Sequence, residues 1–292
     1  MRLSHSTVAI VAFAASALGA QQARAELLIG WIFVSPTGSD SNQCTQKTQS
    51  AIIIPPTKPC KTITHACTLL KPNWRLLLLP GHYVENVVCK ASGSDPINRV
   101  ILVGQGPATY LHGVLGEHKP SLEITGSHIN FGKIEVQGND SDGIYIHGTD
   151  AAHPAVDVNV YYNTTSAGNA GSGVHANFTS GLKIYGDAIY NNGKECIFIE
   201  NSTDWSIYGS SIFRCGSTSG VPVNPTVGTN VVNSPRGELE DSHGEYDVKT
   251  NLVLTNSPNA EVLNNKPNPR YPPFTVIVNP ASDRETDTFS GN

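Results

Sequence analysis

The chain has 292 residues, 39% hydrophobic and only 15% charged, with 27 glycines, 19 prolines and a formal net charge of −5 at pH 7. That length can bury a large core, as one elongated domain or two globular ones, and the turn-rich, charge-poor composition points to strands rather than helices. The acidic balance, with no basic patch, excludes an ordinary nucleic-acid binder.

Residues 1–25 read as a secretory signal: Arg2 opens the segment, residues 8–17 are apolar, and Ala23-Arg24-Ala25 offers small residues before Glu26. The apolar run is too short to span a bilayer, and no later stretch is long and apolar enough to do so. Loss of Arg2 and Arg24 leaves 17 basic residues against 24 acidic ones, a net charge of −7. The expectation is a secreted, soluble monomer, extracellular or periplasmic. Four Asn-x-Ser/Thr sequons occur, at Asn139, Asn163, Asn177 and Asn201, and chance sequons are common in an Asn/Thr-rich chain.

Residues 31–42 read as a strand and a polar turn, and 43–58 as a loop. In the stretch 59–70, apolar residues at 63, 66, 67, 69 and 70 suit a short amphipathic helix. A strand, a Pro80-Gly81 turn and a second strand follow over 76–87. Val100–Gly104 and residues 121–124 are further strands. Gly143-Ile144-Tyr145-Ile146-His147, Gly173-Val174-His175-Ala176-Asn177 and Cys196-Ile197-Phe198-Ile199-Glu200 alternate, with their second and fourth residues apolar and inward, their third and fifth outward. The Gly/Ser/Ala/Asn-rich stretch 163–172 reads as an inserted loop. Leu252-Val253-Leu254 is the last strong strand. From Pro258 onward Phe274-Thr275-Val276-Ile277-Val278 is the one strand-like run, and 281–292 has the composition of a disordered tail.

Ile184-Tyr185-Gly186 recurs as Ile207-Tyr208-Gly209, and the echo continues from Ile189 to Ile212 and from Gly193 to Gly216, always 23 residues on. A fixed period of this size means stacked units that cannot bury their apolar faces alone. A 23-residue coil of short strands resembles one turn of a right-handed parallel β-helix. The expected division is a signal peptide (1–25), an N-terminal cap region (26–75), the parallel β-helix (76–257) and a C-terminal cap or tail (258–292). In that register Trp205 is equivalent to Leu182 and reads as core, and Tyr185 and Tyr208 lie one above the other.

Three segments carry a wider resemblance: Phe33-Val34-Ser35-Pro36-Thr37-Gly38-Ser39-Asp40, Pro59-Cys60-Lys61-Thr62-Ile63, and Leu78-Leu79-Pro80-Gly81-His82-Tyr83-Val84-Glu85. Together they resemble the opening of pectate-lyase-like β-helix proteins, over roughly residues 31–255 in pattern. The resemblance implies an all-β solenoid with a short helical cap. It also implies polysaccharide as partner, through lyases that remove the proton α to a uronate carboxylate with a Lys or Arg base, often with calcium (Ca2+) held by acids. The aspartate pair and Gly-His-Gly signature of the related hydrolases are absent, so a glycoside hydrolase is disfavoured.

Six cysteines in an exported chain suggest three disulfides, among 15 possible pairings. Cys196 and Cys215 are placed to join adjacent coils, with Cys44, Cys60, Cys67 and Cys89 stapling the cap; the alternative for the last pair is two buried thiols.

Stacking the three alternating strands gives one outward column of Tyr145, His175 and Phe198, and another of His147, Asn177 and Glu200. Asp142 and Glu195 precede them at matching positions. Aromatic faces stack on sugars, while carboxylates and imidazoles move protons or hold calcium. The candidate catalytic residues are therefore Asp142, His175, Lys183 and Glu195, with Lys194 and Arg214 as further basic candidates. Tyr145, His147, Phe198 and Glu200 are the candidate substrate contacts. No metal ligand set is specified. The expected function is lyase-like action on an acidic, uronate-containing polysaccharide; the alternative is a non-catalytic binding or surface protein of the same fold, whose outward residues are polar only because the sheet is solvated.

Overall fold

The computed structural model describes residues 29–48, 58–106, 108–161, 165–216, 227–245, 250–267, 274–279 and 287–290. The signal-peptide segment lies outside them. Three long sheets wind around one core: sheet A with 11 strands, and sheets B and C with 8 each. The chain visits them in the order C, A, B, so that Val174–Asn177 (C) leads to Lys183–Tyr185 (A), Ala188–Tyr190 (B) and then Ile197–Glu200 (C). Successive strands within each sheet are parallel, the antiparallel Thr45–Thr48 at the end of sheet A excepted. The solenoid makes about 7 turns averaging about 26 residues. The excess over 23 comes from insertions in particular coils.

The alternation read from the sequence decides what is buried. Ile144, Ile146, Val174, Ala176, Ile197 and Ile199 are fully buried, and their intervening neighbours face outward. Trp205 is core, as expected, and its indole N–H donates to the Ser234 carbonyl. Ile63–Leu69 forms the expected helix, packing Ile63, Ala66 and Cys67 inward. Its first turn is held by two distant carboxylates. Asp40 accepts from the Lys61 and Thr62 N–H groups, and Glu85 accepts from those of Ile63 and Thr64. The Thr62, Ile63 and Thr64 groups are donors at the helix start that have no partner within the helix, and Lys61 lies just before the cap.

The disulfides are Cys44–Cys60, Cys67–Cys89 and Cys196–Cys215. The first two staple the cap, and the third joins successive coils, as the spacing suggested. Cys196 takes the place of Gly143 and Gly173 in earlier coils. A Cβ at Gly173 would lie 2.4 Å from Ile189, so those coils need glycine where the later one uses its side chain for the crosslink.

Polar ladders form the corners. Asn201, Asn233 and Asn256 each adopt a left-handed φ, of 49°, 50° and 49°, where asparagine costs little. Each side-chain amide donates to the asparagine one coil before it, from Asn201 to Asn177 and on through Asn233 and Asn256. Inside the B-to-C corner Asn169 donates to Asn192, which donates in turn to the Ser166 carbonyl. The sequon residue Asn139 is buried in the same corner, its amide bound to the Lys119 and Asp142 carbonyls.

Three sequence expectations need correction. Residues 163–172 are not simply a loop: Thr165–Ala167 is a strand of sheet B. The extra residues of that coil are 148–154, between His147 and the short strand Ala155–Val156. Solenoid pairing also continues past residue 257: Glu261–Leu263, Val276–Asn279 and Thr288–Ser290 all add parallel strands. The last of these falls within the expected disordered tail. At the other end, Ile29–Val34, assigned to the cap, pairs in parallel with Arg75–Leu78 and so already belongs to sheet A.

Candidate functional site

The outer face of sheet C carries the candidate cluster. Cα register aligns Glu123, Tyr145, His175, Phe198 and Asn230 across five neighbouring strands. The second column runs through His147, Asn177 and Glu200. Neighbouring parallel strands lie about 4.8 Å apart, and the rings stack at nearly that spacing. Tyr145 to His175 is 4.7 Å and His175 to Phe198 is 4.9 Å between centroids. His147 folds back on Tyr145 at 4.4 Å.

His175 is held between two acids. Its Nδ1 lies 2.9 Å from Oδ2 of Asp142 and its Nε2 lies 3.1 Å from Oε1 of Glu200. A carboxylate can only accept, so with both partners ionised each ring nitrogen carries a proton and the ring is an imidazolium. Burial by itself would depress its pKa, but the hydrogen bonds and charges of Asp142 and Glu200 outweigh burial and raise it above the ordinary histidine value. Asp142 is fixed in turn by the Ser172 N–H, which donates to Oδ1 at 2.7 Å. Glu195 accepts from the Ser172 hydroxyl and the Asn230 amide. His147 bonds Glu123 at 3.0 Å and the Gly148 carbonyl at 2.9 Å.

Tyr145 is the proton-holding member. Burial raises its pKa, the Asn177 hydrogen bond opposes this, and the charges of Glu200, Asp142 and Glu123 add to the rise. The Asn177 carbonyl accepts from Asn201 at 3.1 Å, which leaves its NH2 end for the tyrosine.

Asp142, Tyr145, His147, His175, Glu195, Phe198 and Glu200 are thus brought together on one face. Lys183 is not. It is exposed on sheet A, because the chain turns a corner between Asn177 and Lys183, and nearness in sequence becomes separation onto different faces. Asp142 and Glu200 both form ion pairs with His175. The sequence reading missed Glu123 and Asn230. Glu123 was legible, since it is the outward residue of a recognised strand one coil before Tyr145. Asn230 was not, because it lies 32 positions after Phe198, off the 23-residue period.

Calcium does not fit this set. The site's acids face imidazoles and amides instead of converging on one point. Among the described residues, the one trio of potential ligand groups close enough to share an ion is Cys44, Cys60 and His65. Both of its sulfurs are spent in a disulfide.

Comparison with known proteins places this geometry in a setting. No curated protein matches the chain in sequence. Among solved structures, the pectate lyase Pel9A superposes with a TM-score of 0.56 at 14% identity, covering 90% of this chain and 79% of the lyase. A rhamnogalacturonan lyase gives 0.53 at 14% identity, covering 81% of this chain and 68% of that one. An alginate lyase from Paenibacillus sp. str. FPU-7 gives 0.50 at 16% identity, covering 76% and 75%. Identities this low establish a shared fold. The sequence profile described as right handed beta helix region matches residues 119–268, half of the chain and the whole of the sheet C cluster from Glu123 to Asn230. The chain belongs to the right-handed β-helix family.

Proposed function

We propose that this is a secreted, carbohydrate-active β-helix protein that binds a polysaccharide along the outer face of sheet C and cleaves it by a lyase-type elimination at a uronate unit. The observation that carries the reading is the His175 ring clamped between Asp142 and Glu200, stacked on Phe198 and packed at a tilt against Tyr145. Elimination needs a base for the proton α to the carboxylate, positive charge to offset the carboxylate as it gains electron density, and an acid for the departing glycosidic oxygen. Glu200 is the base, His175 supplies the charge, and Tyr145 is the acid, its proton retained by burial. The three lyases of the same fold support the substrate class, and the three disulfides support an oxidising, exported setting.

The mature protein is incubated with pectate, alginate and rhamnogalacturonan, and the absorbance of unsaturated products is followed. Turnover lost in His175→Gln is the expected result, and inactivity across the panel sinks the lyase reading. A second reading, binding without turnover, is favoured by one observation: Glu123, Asp142, Glu195 and Glu200 are all engaged by neighbouring imidazole, hydroxyl or amide groups. A neutral glycan retained on an array without cleavage is its signature.

A further inference from the structure

On sheet B, well separated in the winding from the His175 cluster, His82 and His112 occupy adjacent strands, Gly81–Val84 and Thr109–His112. Nδ1 of His82 lies 3.1 Å from Nε2 of His112. The rings are nearly parallel, 13° apart, and His82 also packs face to face on Tyr110 at 4.6 Å and 10°. His82 is exposed and His112 half-buried, so the shared edge is open to solvent.

The tautomer of His112 is set by its surroundings. Its Nε2 faces His82 Nδ1, and Gln137, its register partner on the next strand, offers a backbone carbonyl to the other ring nitrogen. This is the arrangement by which proteins orient metal-binding histidines: one nitrogen anchored to a carbonyl, the other aimed at the ion. The 3.1 Å separation also matches the bite of a metal. With metal–nitrogen bonds of about 2.0–2.1 Å it corresponds to a nitrogen–metal–nitrogen angle of about 100°, between square-planar and tetrahedral.

We infer that His82 and His112 form a two-histidine site for a borderline divalent transition metal such as Zn2+, Ni2+ or Cu2+, with water completing the coordination. The ion takes the lone pair of His82 Nδ1 once the proton on that nitrogen has passed, through solvent, to the ring's exposed Nε2, so both imidazoles ligate as neutral rings. Among the described residues no carboxylate forms an ion pair with either ring, and two nitrogen ligands discriminate against Ca2+ and Mg2+, which require oxygen.

The test titrates untagged mature protein with Zn2+, Cu2+ or Ca2+ salts by calorimetry, in the wild type and in His82→Gln and His112→Gln. Expected are one zinc or copper ion per chain, at least tenfold weaker binding in either variant, and no binding of Ca2+ at this site. No transition-metal binding, or binding unchanged in both variants, overturns the proposal. The electron paramagnetic resonance spectrum of the copper-loaded wild type decides the matter even if a variant fails to fold: two equatorial imidazole nitrogens support the site, and none or one overturns it.

Discussion

His175 Nδ1 meets Asp142 Oδ2 at 2.9 Å across 33 residues of sequence, because Asp142 stands at the corner immediately before the strand that pairs with Val174–Asn177. The contact exists only because one coil stacks on the next. It sets the charge state of the ring at the centre of sheet C.

A first prediction concerns pH. The folded-state pKa of His175 is raised, by Asp142 and Glu200 acting against burial. A raised pKa means that the stabilisation is fully present below the unfolded value, near 6.5, and is lost as pH rises through the folded value. If the imidazolium is the working form, activity falls over the same alkaline limb. Asp142→Asn moves that limb to lower pH, as read from the pH dependence of kcat/KM and from the His175 resonances by NMR; an unmoved limb contradicts the assignment.

Substitutions separate the faces. Tyr145→Phe and Glu200→Gln remove a proposed acid and a proposed base, each expected to lower kcat by about 10²–10⁴-fold. Lys183→Ala, on sheet A, leaves kcat and KM unchanged. Steady-state kinetics on the best uronate substrate measures all three, and loss of activity in Lys183→Ala contradicts the proposed site.

Packing predicts a sharp penalty at one glycine. A Cβ at Gly237 would sit 1.7 Å from Cε2 of Trp205, a ring buried in the core and fixed by its bond to Ser234. Gly237→Ala is therefore expected to cost about 2–3 kcal/mol through overpacking. Denaturant melts of the variant beside Gly209→Ala, where a Cβ meets open space but φ is +59°, separate steric clash from backbone strain.

The coil-joining crosslink makes a fourth case. Replacing Cys196 and Cys215 with serine opens a loop of 19 residues and is expected to cost about 3 kcal/mol. The fold survives, since strands on both sides keep their ladder partners, and urea unfolding reads the loss directly.

The inner corner supplies the last. Asn192→Ala removes the acceptor for Asn169 and the donor to Ser166, both in the buried interior. Leaving such groups unpaired costs about 1–3 kcal/mol each. A midpoint shift smaller than that of an exposed control such as Asn256→Ala indicates that water replaces the amide.

Much of this was legible before any coordinates. The 23-residue echo and the apolar alternation of residues such as Ile197 and Ile199 depend on local chemistry repeated once per coil, so they specify which side of a strand is buried and which strands are neighbours. They placed Tyr145 beside His175 and Phe198, and Cys196 near Cys215. Lys183 was misplaced for a reason intrinsic to a solenoid: period describes stacking along the axis, while the corner between sheets C and A decides which face a residue joins, and that corner is built by the asparagine side chains and left-handed backbone at Asn201, Asn233 and Asn256. Asn230 lay beyond reach because an insertion broke the period ahead of it.

Sequence by itself determined the repeat, the buried face and the family resemblance, since each follows from residue type and spacing. Only the tertiary structure decided that both nitrogens of His175 meet carboxylates, that Lys183 faces away, and that His82 and His112 bring two ring nitrogens together. Those facts depend on how stacked coils bring residues a full turn apart to within a hydrogen bond, a distance that spacing along the chain does not encode.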